Sequence, residues 1–217
     1  GSNYYGELGY GHTDNIGVEQ SPGDVVAVDL GGEKATDLCA GNDHSCVVLQ
    51  GGDVKCWGKG ERGRLGYKNE NNIGGEIGDM PPPDVQVGGD VKQITCGGQH
   101  TCALLVDGTV RCWGWNKGGT LGYGVSIEEL PAVGDDEHPS DYGPVELGGA
   151  PVMIDAGYAA TCALMEDASV RCWGRDYFGV HGKGSYGPIG DDETPVAVSP
   201  VNLGGPAVEV SIGRWHS

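Results

Sequence analysis

Apolar positions in this chain come in short runs of Val, Leu, Ile and Thr cut by glycine, and no stretch holds a helical period long enough for an amphipathic helix. The clearest run is Cys102-Ala-Leu-Leu-Val-Asp-Gly-Thr-Val-Arg-Cys112-Trp113-Gly114. It predicts two strands around an Asp-Gly turn, because glycine takes a positive φ without a steric penalty. A three-residue loop Val106-Asp107-Gly108 sets Leu105 opposite Thr109 and Cys102 opposite Cys112. A two-residue loop would instead set Cys102 opposite Trp113.

The same unit recurs at Cys46–Cys56 followed by Trp57-Gly58, and at Cys162–Cys172 followed by Trp173-Gly174. Other motifs keep step with it. Gly6-Glu-Leu-Gly-Tyr10 returns at Gly63–Tyr67 and Gly119–Tyr123 and decays to Gly179-Val-His-Gly-Lys183. Val28-Asp-Leu-Gly-Gly32 returns at Val85–Gly89, Val145–Gly149 and Val201–Gly205. Gly41-Asn-Asp-His44-Ser-Cys46 returns at Gly98-Gln-His100-Thr-Cys102, as Gly157-Tyr-Ala-Ala160-Thr-Cys162, and at Gly213-Arg-Trp-His216-Ser217. The reading is therefore four periods, 1–57, 58–113, 114–173 and a partial 174–217 without its hairpin. Each holds about four short strands in ~57 residues, with Val-x-Leu-Gly-Gly counted as one of them. The fold class is all-β, a β-propeller of four-stranded antiparallel blades; a parallel β-solenoid has shorter repeats and lacks the hairpin chemistry.

The Gly-x-Leu-Gly-Tyr and Gly-x-x-His-[Ser/Thr]-Cys motifs, with Asp-Gly-x-Val-x-Cys-Trp-Gly, resemble the regulator of chromosome condensation repeat family, in particular its cysteine-containing bacterial exported branch. That resemblance implies a propeller that usually closes at seven blades. Three full repeats and a partial fourth fall short of it, so the chain is expected to form an arc of a larger ring or assembly with two apolar blade faces left open. A contracted four-bladed ring is the alternative. The family name alone implies a nucleotide-exchange factor, and other members imply protein binding or enzyme inhibition.

Composition narrows the partners. Of 217 residues 42 are glycine, with no collagen-like period, and the apolar runs are too short to cross a bilayer. The chain begins without a basic and apolar leader, read as a secretion signal removed or never included. A formal charge of −18, from 31 acids against 13 scattered Lys and Arg, repels phosphate backbones and anionic headgroups, so nucleic acid and membrane insertion are set aside. The eight cysteines are expected as disulfides: Cys46 with Cys56, Cys102 with Cys112, Cys162 with Cys172, and Cys39 with Cys96 between blades. Cys39 and Cys96 are taken as equivalent positions, matching Asp155 and Ser211 in the other periods. Full pairing places the protein in an oxidising, extracellular or periplasmic compartment. Buried free thiols are the alternative, and the spacing lacks a zinc knuckle.

His44, His100 and His216 occupy one place in the repeat and would line a central channel if they bound metal; Ala160 breaks the series, which favours imidazoles bonded to backbone at a blade corner. Trp57, Trp113 and Trp173 read as inter-blade packing, with Trp115 and Trp215 outside the pattern. The acidic loops offer oxygen ligands for calcium at Asp135, Asp136 and Glu137 and at Asp191, Asp192 and Glu193, yet match no defined calcium loop, so solvated acidic surface is the reading adopted. No catalytic or cofactor fingerprint is present. The functional expectation is a non-enzymatic scaffold that displays variable acidic loops to a protein partner or to further copies of itself. A secreted carbohydrate-active hydrolase or lyase using loop carboxylates is the second reading.

Overall fold

A computed structural model of the chain describes residues 1–184, 187–214 and 216–217. Three antiparallel meanders follow one another. Blade one is β1 (Ala35–Ala40), β2 (His44–Leu49) and β3 (Val54–Gly58). Blade two is β4 (Val91–Cys96), β5 (His100–Leu105), β6 (Val110–Trp115) and β7 (Ala132–Val133). Blade three is β8 (Pro151–Ala156), β9 (Ala160–Met165) and β10 (Val170–Gly174). Among the described residues the only helices are single 3₁₀ turns, and none is long and apolar enough to cross a membrane.

The hairpins form as their sequence requires. Leu105 N donates to Thr109 O at 2.9 Å, Gly108 sits at φ +84°, and Cys102 faces Cys112. The other two hairpins repeat this register, although Ala168 adopts φ +64° where Gly108 stands in blade two.

The four-stranded blade is met only in blade two. In blades one and three the fourth strand shrinks to a single bridge, Gly58 to Ile73 and Gly174 to Ile189. In blades one and two a tyrosine serves the stretch of the third strand that no fourth strand pairs. Cys56 N donates to the Tyr67 hydroxyl at 3.0 Å, which also lies 3.0 Å from Cys56 O; Tyr123 does the same for Cys112 at 3.1 and 2.8 Å. One phenol thereby meets both backbone groups of an edge residue, and burial pushes the Tyr123 hydroxyl up to about 12. The Val-x-Leu-Gly-Gly segments form no strand either. Three of the four copies touch the sheet through one bond, Val85 N to Val54 O, Val145 N to Val110 O and Val201 N to Val170 O, each 2.8 Å. The fourth element of the expected period is instead the inner strand, β1, β4 or β8.

Alternation along the strands sends Cys46 and Val48 toward blade two and Val47 and Leu49 the other way. The main core runs through all three blades and includes the fully buried Trp113, Trp173, Leu65 and Leu121. Gly66 shows why Leu-Gly-Tyr recurs: at φ +79°, an added Cβ would lie 2.7 Å from Val85 and 3.1 Å from Trp113 Nε1. The two terminal blade faces are not bare. Val28 and Leu30 pack over Val47, Leu49 and Trp57, while Val210 and Ile212 cover Cys162, Leu164, Val170 and Cys172. One stray segment at each end does part of what a neighbouring blade would do.

Candidate functional site: blade seams, acidic loops and the loop end

Each seam between blades is stitched by polar groups from the inner strands. Gln93 holds the backbone of Ile154 with both ends of its amide at 3.0 Å, and Asp37 Oδ2 accepts from Ile94 N at 2.9 Å. Two residues further along, Thr95 Oγ1 accepts from Ala156 N at 2.9 Å and Asp155 Oδ2 from Ile212 N at 2.8 Å. At the first seam that place is taken by the Cys39–Cys96 disulfide, Cα to Cα 5.4 Å. The two cysteines are not equivalent positions. Cys39 stands opposite Cys46, whereas Thr95 stands opposite Cys102, so Cys96 is one residue out of step. The offset is what permits the bond. Successive strand residues face opposite ways, so equivalent cysteines would both point at the next blade and never at each other. The hairpin pairs Cys46–Cys56, Cys102–Cys112 and Cys162–Cys172 are joined as well, with Cα atoms 4.1, 4.1 and 4.0 Å apart, leaving no free cysteine.

The histidines belong to the seams too. His44 Nε2 lies 2.9 Å from Thr101 Oγ1, and His100 Nε2 lies 2.9 Å from Thr161 Oγ1. Thr101 donates its one hydroxyl proton to Arg64 O at 3.1 Å, so it accepts from His44, which fixes the Nε2–H tautomer. The ring bonds the next blade's side chain rather than a backbone corner. Burial above all, then Arg64 and His100, hold His44 down at about 3; burial alone does so for His100. Ala160 interrupts the series before His216, and Ser217 Oγ donates to Val180 O as Thr101 does to Arg64 O.

The acidic loops lie against the Gly-x-Leu-Gly turns. Gly11 N donates to Gly74 O at 2.9 Å and Gly124 N to Gly190 O at 3.0 Å. Within them Asp135, Asp136 and Glu137 bring carboxylate oxygens within 4.8 Å of one another, and so do Asp191, Asp192 and Glu193. Burial, followed by the adjacent aspartates, raises Glu137 and Glu193 to about 7. Oxygen sets of this kind suit calcium, and among the described residues nothing beyond the acidic cluster itself points to an ion.

Sequence reasoning passed over the strongest feature, which the meander collects at one end of the arc. The loop after each inner strand and the loop after each Cys-Trp-Gly emerge there together. Lys59 lies 4.7 Å from the Tyr5 ring, Lys117 4.7 Å and Arg62 5.4 Å from Trp115, Arg175 4.9 Å from Tyr177, and Arg214 4.9 Å from Tyr158. The signal was present in the residue following each Cys-Trp-Gly, namely Lys59, Trp115 and Arg175. Trp215 lies outside the described residues.

A family model described as the regulator of chromosome condensation (RCC1) repeat matches residues 35–64, 91–120 and 154–180, and a second model of that repeat matches 51–104. The chain belongs to the regulator of chromosome condensation repeat family. Each of the three RCC1 matches opens in or at an inner strand, runs through the hairpin and ends in the Gly-x-Leu-Gly turn or its decayed copy, so the matched unit is the stitched scaffold. Among curated proteins, the ultraviolet-B receptor UVR8 of Arabidopsis thaliana is 32% identical over 180 residues, covering 82% of this chain and 37% of the receptor. The human E3 ubiquitin-protein ligase HERC2 is 31% identical over 194 residues, or 83% of this chain and 3% of the ligase. This RCC1-repeat chain thus spans well under half of either relative. Among solved structures, human WBSCR16 superposes with TM-score 0.75 at 23% identity, covering 99% of this chain and 50% of that one. Yeast RCC1 (Prp20), solved with Kap60 bound, gives 0.62 at 23% identity over 84% of this chain and 40% of that one. Both show the fold, an RCC1 propeller arc.

Proposed function

We propose that this RCC1-repeat arc is a non-enzymatic binding module, exported to an oxidising compartment, that engages a protein partner through its loop end. The observation carrying this reading is the contrast between a stapled scaffold and that end. Three hairpin disulfides and the seam bonds repeat from blade to blade, with a fourth disulfide across the first seam, while Asn42, Gly98, Tyr158 and Arg214 change at one matched position. Variable loops on a rigid frame are where recognition resides, and Trp, Tyr and Arg are the residue types enriched in binding hot spots. The structure of yeast RCC1 with Kap60 bound supports a protein partner for this fold. Full cysteine pairing supports an extracellular or periplasmic location. A hydrolase reading has less behind it: the two elevated glutamates sit in separate loops, each raised by its own aspartates.

The test compares capture from the source organism's extracytoplasmic fraction by the wild-type chain, by a loop-end variant (Trp115→Ala with Arg175→Glu) and by a hairpin-end variant (Asp107→Asn with Asp167→Asn). A partner held by the first and third and lost by the second is expected. Equal capture by all three, or loss only with the hairpin-end variant, overturns the reading. Copies of the chain are the second partner class, favoured by Leu38, 69% exposed on β1, and Val208, 93% exposed in the last segment.

A further inference from the structure

We propose that a cavity at the loop end, between blades two and three and the last segment, binds a small organic anion built on an unsaturated ring, such as an aromatic carboxylate. This goes beyond protein binding and does not depend on it. The cavity measures about 590 Å³, within the range of small-molecule sites. Three cations line it, Lys117, Arg175 and Arg214, with the aromatic rings of Trp115, Tyr158 and Tyr177 between them. Among the described residues no Asp or Glu lines it, in a chain carrying 31 acids against 13 Lys and Arg. Among the described residues Lys117 and Arg175 make no ion pair. An anion entering here meets, at Lys117 and Arg175, positive charge outside any ion pair among the described residues, and a flat ring meets aromatic faces already used to seat the cations.

Two backbone details fit this use. Gly118, at φ +66°, leaves the space in which the Arg175 stem lies; a Cβ there would come within 2.6 Å of Arg175 Cγ. The residue matching Gly118 in the next repeat is Phe178, also left-handed at φ +61°. Glycine takes that conformation freely, whereas a side chain costs about 1–2 kcal/mol there. The only phenylalanine of the chain nevertheless occupies it, 77% exposed on the cavity lining.

The probe is 2-naphthoate, titrated into the 217-residue chain by calorimetry and by tryptophan fluorescence. Saturable binding is expected, about tenfold weaker for the neutral 2-naphthalenemethanol and for the ringless-π cyclohexanecarboxylate. Arg175→Gln and Lys117→Gln should each weaken it about tenfold, while the exposed Lys92→Gln on β4 leaves it unchanged. Lys117→Gln removes charge without disturbing the Gly118 seat, so it decides the matter if Arg175→Gln fails to fold. Phe178→Gly should raise thermal stability and weaken naphthoate binding together, a split that a structural residue would not give. The proposal is overturned by absence of binding at millimolar 2-naphthoate, by equal affinity for the neutral alcohol, or by Lys117→Gln leaving affinity intact. Binding of an Asp-Tyr-Glu peptide without binding of naphthoate assigns the cavity to a protein segment and overturns it as well.

Discussion

His44 and His100 show how one hydrogen atom fixes a seam. Thr101 has a single proton, gives it to Arg64 O, and can only accept from His44, so the ring carries its proton on Nε2, and burial keeps it neutral. Both rings are completely buried and their folded pKa falls from the ordinary 6.5 to about 3. The folded state therefore binds fewer protons than the unfolded one in the interval between these values. Stability from these two residues is whole above pH 6.5 and is lost progressively as the pH falls toward 3, by up to about 1.4 kcal/mol per pH unit for each. Urea unfolding across that interval should show the decline, and His44→Gln should lessen its slope by about one proton; an unchanged slope would mean the ring is not held neutral. The recurrence of Gly-x-x-His-[Ser/Thr] was legible in the chain. Its bonding was not, because the acceptor lies 57 residues away in the next period.

At the level of the element, the hairpins were readable because everything that fixes them is local. The turn sets the register, the register sets Cys102 against Cys112, and a ten-residue separation contains all of it. The inner strands were missed because Val91-Lys-Gln-Ile-Thr-Cys96 carries weak alternation and no turn of its own, while Val-x-Leu-Gly-Gly looked more strand-like and forms one sheet bond in each of three copies. The partnership of Cys39 and Cys96 was anticipated, yet its one-residue offset depends on how blades face each other and has no local signature. The two kinds of bridge differ in the chain they close. By loop entropy, a separation of 10 corresponds to about 2.7 kcal/mol and one of 57 to about 4.2 kcal/mol. Replacing Cys39 and Cys96 by serine should therefore lower unfolding free energy more than replacing Cys102 and Cys112. The reverse order in chemical denaturation would show that the seam is already held by its hydrogen bonds.

Over the whole molecule, repetition made the fold legible: motifs returning in register specify blades before any contact is known. The loop-end cavity was illegible, since its cations come from three repeats and only the arc brings them together. The arc is open but its outer faces are only partly covered, with Leu38 exposed on the first strand and Val208 on the last segment. Unlike faces of this kind associate head to tail. Sedimentation should give a mass rising with concentration above 22.5 kDa, reduced by Leu38→Asp and not by Val106→Asp at a hairpin tip; a constant monomer mass rejects association. The His44–Thr101 and His100–Thr161 pairs have a further consequence, because each bond is divided between two periods and always points the same way along the chain. A period lifted out intact carries the donor of one junction and the acceptor of the one before it. Such units cannot be shuffled as independent cassettes: a transplanted blade keeps its seams only if the histidine upstream and the hydroxyl downstream travel with it.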